Sequence, residues 1–155
     1  MNIDDYRRYL RAFNAPDYDA LHAFFSEDIK LQVKDRALRG KAGLRAFYDT
    51  FHQYVREEAK LIQFVPGPVE NGRQTCAVDL VFRFTGLKDF TEEVRADLEK
   101  RSGYGWRQPL ATGETFYMEN LIFYDLVDGK VDRVRAAVTQ PPGGARPIWD
   151  ATPEA

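Results

Sequence analysis

The order of its hydrophobic patterns predicts an α+β fold for this chain of 155 residues. Apolar residues recur at helical spacing mainly in the first third, whereas most of the remainder alternates with a period of two. Helices first and strands after is the order of an α+β protein, not of a parallel strand–helix series. Between two of the alternating runs stands Asp128-Gly129, a good two-residue hairpin turn.

Residues 3–14 place Ile3, Tyr6, Leu10 and Phe13 three and four apart, and Tyr9 widens that face, so a first helix is predicted. Pro16-Asp17 breaks and restarts the chain, with Asp17 as N-cap of a short second helix carrying Leu21, Phe24 and Phe25. Ile29, Leu31 and Val33 alternate with Lys30, Gln32 and Lys34, the pattern of a half-buried strand. Gly40 ends a turn, and a third helix follows with Leu44, Phe47, Tyr48, Phe51 and Val55 on one stripe. Leu61–Val65 reads as a strand closed by Pro66-Gly67-Pro68. Cys76–Phe84 is apolar at every second position, with Asp79 and Arg83 on its other face. Phe116–Leu126 and Val131–Val138 are the two arms of the hairpin.

Some thirty residues separate Phe84 from Phe116. Asp89-Phe-Thr-Glu92 resembles a capping box with Asp in place of Ser or Thr. Phe90, Val94 and Leu98 then form a thin apolar stripe, predicting an inserted helix near 89–102 that packs at the surface. It reads as a lid over a pocket, with Tyr104 and Trp106 on the loop after it, or as a surface decoration. Residues 1–139 form one expected domain with an insertion at 86–113. Residues 140–155 are rich in Pro and Gly and read as irregular, with Ile148-Trp149 as their anchor.

Composition narrows the function classes. Hydrophobic residues make up 44% and aromatics 14%, enough to line a cavity as well as fill a core. A net charge of −2 argues against a nucleic-acid surface. One cysteine, Cys76, allows no internal disulfide, and two histidines without a Cys cluster make a zinc site improbable. No apolar stretch is long enough for a membrane span, and the first residues lack the pattern of a signal peptide, so a cytoplasmic protein is expected. There is neither a Gly-rich phosphate loop nor a Gly-x-Ser-x-Gly elbow.

Three segments carry a family resemblance: Tyr9 to Asp28, Leu38 to Tyr48, and Asn120 to Val134. Together they resemble the nuclear-transport-factor-2-like superfamily, which includes ketosteroid isomerase, scytalone dehydratase, limonene epoxide hydrolase and the SnoaL-like cyclases. The resemblance implies a cone: a curved mixed or antiparallel sheet and three N-terminal helices enclosing one deep pocket. It also implies a small-molecule ligand and, through the outer sheet face that carries Asp79, Arg83, Glu119, Arg133 and Arg135, a homodimer.

The resemblance also suggests roles. Tyr9 matches the first-helix tyrosine that donates to an oxyanion in ketosteroid isomerase, and Asn120 stands where that enzyme has a protonated aspartate. An amide donates at any pH, so this exchange keeps the donor. The isomerase base falls on Val33, so that mechanism does not carry over unaltered. Asp35 and Glu114, of inward strand parity, are the alternative acid–base carboxylates. Tyr48 matches a supporting tyrosine and shares a helix face with His52, which allows a Tyr9–Tyr48–His52 chain. The expected lining is Phe13, Phe24, Val33, Phe47, Phe51, Val78, Leu80, Phe82, Phe84, Phe116, Met118 and Trp106, suited to an apolar, aromatic ligand with a few oxygens. No cofactor or metal is expected. Two readings stay open. One is a cofactor-independent lyase (dehydration or retro-aldol elimination) on an aromatic hydroxy or carbonyl compound, with isomerase or cyclase as the neighbouring alternative. The other is a non-catalytic binding module.

Overall fold

In the computed structural model, which describes residues 1–33, 36–102, 110–139 and 144–153, the chain opens with a reciprocal cap. The Asn2 side chain accepts from the Asp5 amide, and the Asp5 carboxylate accepts from that of Asn2, starting helix α1 (Ile3–Asn14). Asp17 caps α2 (Tyr18–His22) through the Ala20 amide, as its sequence position predicts. Strands β1 (Phe25–Val33) and β2 (Arg36–Arg39) lead into α3 (Gly40–Phe51). Then follow β3 (Val55–Pro66), β4 (Arg73–Gly86), α4 (Glu92–Ser102), β5 (Thr115–Val127), β6 (Lys130–Val138) and α5 (Arg146–Ala151). Among the described residues no helix is long and apolar enough to cross a membrane.

The strands form one open six-stranded sheet in the order β2-β1-β6-β5-β4-β3. Only β1 and β6 run parallel; the other pairings are antiparallel, so the sheet is mixed as expected. The hairpin between β5 and β6 turns at Asp128 and Gly129, both with positive φ, the backbone that a two-residue turn between twisted strands requires. On one face, α1 packs against β3 and α3 against β1. Beneath them lie Cys76, Val78, Leu80, Phe82 and Phe84 of β4, each at most 8% exposed, facing the same side as Phe116, Asn120, Ile122 and Tyr124 of β5. The Asn14 side chain fastens α1 to the edge strand β3: its amide donates to the Ala59 carbonyl at 2.9 Å and its oxygen accepts from the Ala59 N–H at 2.8 Å.

Five local expectations change. Val55 starts β3 rather than extending the α3 stripe, because α3 closes at Phe51 with short-range bonds from Gln53 to Thr50 and Tyr54 to Phe51. The stripe continued through the turn because helix end and strand start bury side chains in the same core. Phe25 belongs to β1, not α2. Strand β2, unrecognised in the sequence, pairs antiparallel with β1. Strand β3 begins six residues before the expected Leu61, hidden by its charged residues Arg56, Glu57, Glu58 and Lys60. The capping box at Asp89 does not form. Thr91 accepts from the Val94 amide, and Asp89 instead accepts from the Thr112 amide and hydroxyl, tying together the two ends of the insertion.

The insertion is anchored in the core. Phe90, Leu98 and Leu110 are at most 2% exposed, and the Phe90 ring meets Phe51 edge-on at 5.7 Å. Burying a leucine such as Leu98 contributes about 2 kcal/mol, so this apolar stripe holds α4 against α3.

On the other face, residues 146–151 form α5 where an irregular tail was expected, and Trp149 is its anchor. The ring packs beside Tyr117 and Val81 on β5 and β4. The Lys60 ammonium donates to the Trp149 and Thr152 carbonyls at 3.3 and 2.9 Å and stands 4.6 Å from the indole centroid. The Arg83 guanidinium lies over the same ring at 4.7 Å and bonds Glu58 through both Nε and Nη2. Two strand cations thereby find partners through one aromatic side chain. Trp149→Ala is expected to cost about 3 kcal/mol, read as a lower midpoint in urea unfolding; an unchanged midpoint would show that α5 does not hold to the sheet.

Candidate functional site

Two groups of polar side chains stand on the inner face, and each draws on several elements. The first is phenolic. Tyr6 and Tyr9 come from consecutive positions on the α1 face, and Tyr124 comes from β5. The Tyr6 and Tyr124 hydroxyls lie 3.3 Å apart, and the Tyr9 ring stands against both of their rings. The Tyr9 ring is held edge-on by Phe24, Phe25 and Tyr124 at 5.7, 5.9 and 5.6 Å. Burial pushes all three phenols well above their ordinary value, and their mutual proximity adds to the effect. They are neutral hydrogen-bond donors throughout the physiological range.

Asn120 lies on the same face of β5, between Leu80 of β4 and Val138 of β6, and is 3% exposed. No described residue hydrogen-bonds its side-chain amide.

The second group joins His52 and Tyr48, which the sequence singled out, to Tyr18 and Glu57, which it did not. The Tyr18 hydroxyl lies 2.7 Å from His52 Nδ1, and His52 Nε2 lies 3.4 Å from a Glu57 carboxylate oxygen. The His52 and Glu57 side chains are only 11% and 13% exposed. Tyr48 tilts over the imidazole at a centroid distance of 4.9 Å, and Tyr18 stacks on both Tyr48 and His52. Glu57 has inward parity on β3, between buried Val55 and Ala59. Its charge helps raise the phenol of Tyr9 as well as that of Tyr18, so one carboxylate is felt by both groups.

The sequence-derived candidates fall as follows. Tyr9 belongs to the first group and Tyr48 and His52 to the second, while Asn120 stands apart from both on the same face of β5. At the His52 end of the expected Tyr9–Tyr48–His52 chain the imidazole hydrogen-bonds Tyr18, and Tyr48 meets it as a tilted ring. Glu114 does not point inward. Strand β5 begins only at Thr115, and the exposed Glu114 accepts from the Ala111 amide within a tight turn. Asp35 and Trp106 lie outside the described residues, as does the side chain of Val33. Phe13 meets Tyr48 and Phe82 edge-on, and Phe82, Phe84 and Phe116 continue as a stacked row. Phe47 and Phe51 stack at 5.2 Å, Phe51 against the insertion. Val78 and Leu80 are buried; Phe24 and Met118 are half-buried. An open cleft of about 290 Å³ beside Asp5, Arg8 and Lys130 shares only Phe24 with these candidates. Among the described residues no three His, Cys, Asp or Glu side chains converge as metal ligands.

A family model described as a SnoaL-like domain matches residues 6–134, and the chain belongs to that family. Similar solved structures include a candidate polyketide cyclase from Silicibacter sp. tm1040, 25% identical over 98% of this chain and 94% of that one, with a TM-score of 0.63. Another, from Xanthomonas campestris pv. campestris, is 23% identical over 86% of each chain, also with a TM-score of 0.63. A candidate aromatic ring hydroxylase from Novosphingobium aromaticivorans is 16% identical over 90% of this chain and 87% of that one, with a TM-score of 0.66. No curated protein matches. The nuclear-transport-factor-2-like fold implied by the resemblance is the fold of the molecule.

The phenolic group generates a pH prediction. A phenol whose folded pKa is raised stabilises the fold fully below its unfolded pKa, near 10, and loses that contribution as pH rises through the folded value. Absorbance titration at alkaline pH is expected to leave three of the eight tyrosines un-ionised until the protein unfolds. Ionisation of all eight near pH 10 with native circular dichroism would contradict the burial of this group.

Proposed function

We propose that this SnoaL-like domain is a cofactor-independent lyase acting on a small aromatic hydroxy or carbonyl compound. The observation that carries the reading is Asn120: a side-chain amide, 3% exposed, on the inner face shared with the tyrosine hydroxyls. Asn120 and Tyr9 are the donors for an oxyanion, and Glu57, paired with His52, is the acid–base carboxylate in place of Asp35 or Glu114. In the retro-aldol direction, Glu57 takes the proton of a β-hydroxyl. The carbon–carbon bond breaks, a carbonyl leaves, and the electron pair settles on an enolate oxygen held by the donors. The proton is then returned to carbon. Dehydration uses the same groups: Glu57 removes the proton next to the carbonyl, and hydroxide leaves as water on receiving one. A dry pocket strengthens each donor, and a single such donor is worth about 10²–10³ in rate.

The reverse of the retro-aldol step is an aldol ring closure. That makes cyclase the neighbouring reading, favoured by the candidate polyketide cyclases among the similar structures. The apolar lining by Phe13, Phe82, Phe84 and Phe116 suits an aromatic body with oxygens directed at Asn120.

Substituted naphthols test the donors by ultraviolet absorbance. Binding with a shift towards naphtholate is expected, weakened about tenfold to a hundredfold by Tyr9→Phe or Asn120→Leu. With aromatic β-hydroxy ketones, Glu57→Gln is expected to abolish turnover while keeping naphthol binding. Binding without turnover of any such ketone favours a binding module, and binding indifferent to both donors rejects the site.

The outer sheet face is the proposed homodimer surface. Asp79 there has a buried carboxylate oxygen without a protein partner, its pKa raised by burial and then by Glu119. Val65 on β3 leaves 49% of its surface exposed. Helix α5 covers this face near Val81 and Tyr117. Light scattering at micromolar concentration is expected to give twice 17.9 kDa, and Val65→Glu to halve it; a wild-type monomer would rule the interface out.

A further inference from the structure

The inner carboxylate has a connection to the outside that the proposed reaction does not by itself require. We propose that Tyr18, His52 and Glu57 form a proton path joining the inner face to the protein surface, with Tyr18 as its outer end. The inference rests on Glu57 being the acid–base group of the site.

Geometry carries it. The three groups are in line through opposite edges of one imidazole, 2.7 Å on the Tyr18 side and 3.4 Å on the Glu57 side. His52 and Glu57 are nearly buried, whereas Tyr18 is half-exposed at the start of α2. Its ring is gripped in place: Tyr48 and His52 stack on it, and the Arg45 guanidinium lies 4.7 Å from its centroid. Arg45 is in turn held by Asp49 at 2.8 Å and faces Asp19 at 3.5 Å.

More than one protonation state satisfies both contacts, and the path starts from the one with a neutral imidazole. Tyr18, a neutral phenol, donates to Nδ1; the neutral imidazole carries its proton on Nε2 and donates it to the ionised Glu57. From that state a proton can be delivered inwards. The Tyr18 O–H bond breaks as Nδ1–H forms, and Nε2–H breaks as a Glu57 O–H forms. The Tyr18 oxygen, facing the Arg45 cation, takes a proton from water. The net change is one proton from solvent to Glu57, with no electron transfer. Glu57 is then loaded as the acid that protonates a leaving hydroxyl or an enolate carbon, and the imidazole returns to its starting tautomer by giving its Nδ1 proton back through Tyr18 as Nε2 takes one from the inner face. Tyr18 is a positioning residue in this scheme, since it acts through His52.

The test needs no substrate. In ¹⁵N-labelled protein the ring signals of His52 are separated from those of His22 by a His22→Gln variant. Wild type is expected to show neutral His52 with its proton on Nε2. Tyr18→Phe keeps the ring stacked under Arg45 but breaks the path, so exchange of the Nε2 proton with water is expected to slow at least tenfold. A hydroxyl that merely plugs the site predicts the opposite, because its loss admits water. Exchange that is unchanged or faster in Tyr18→Phe, or a wild-type proton on Nδ1, overturns the path. Either result leaves the lyase reading to stand or fall on naphthol binding and ketone turnover.

Discussion

The paired hydrogen bonds between Asn14 and Ala59 set the relation on which the inner face depends. Strand β3 is an edge of the sheet, and an edge strand leaves backbone donors and acceptors unpaired. The Asn14 side chain has the shape and polarity of a peptide group and serves both polar groups of Ala59 as a neighbouring strand would. Because Asn14 ends α1, this clamp aligns the whole helix along β3. Tyr6 then stacks on Phe64 near one end of the strand, while Phe13 comes over the sheet at Phe82 near the other. Glu57, two residues from Ala59, is brought under the same helix that carries Tyr9.

Around that alignment the interior separates its polar groups by chemistry. The three phenols are kept neutral by burial, so they are donors without charge. Glu57 is placed where an imidazole can donate to it. A charged carboxylate deep in an apolar face is costly unless hydrogen-bonded, and His52 supplies the bond. Asn120 is a buried side-chain amide on the same face of the sheet.

The additions to the core fold each close a gap. The insertion buries Phe90 and Leu98 against α3, stiffening the helix that carries Tyr48 and leads into His52. Helix α5 covers Lys60 and Arg83 on the opposite face. Charged residues therefore occupy the outer side of β3 and β4 without weakening the apolar inner side, since alternate residues of a strand face opposite ways.

Fold class, the two long helices of the first third and the inward parity of Asn120, Phe116 and Phe82 were all legible in the chain. They follow from local periodicity, which neighbouring residues specify by themselves. Periodicity is blind to where one element yields to the next in a shared core, so Val55 extended a helix stripe and the charged start of β3 concealed Glu57. Nor does it choose hydrogen-bond partners. His52 shares a helix face with Tyr48 four residues away, yet its Nδ1 meets Tyr18, 34 residues distant. Asp89 had the spacing of a cap and instead holds Thr112, 23 residues on. Sequence pattern picked out Tyr9, Asn120, Tyr48 and His52 but not Tyr18 or Glu57; the pairings were decided by tertiary structure, because a hydrogen bond depends on distance in space and direction, and elements far apart in the chain supply both.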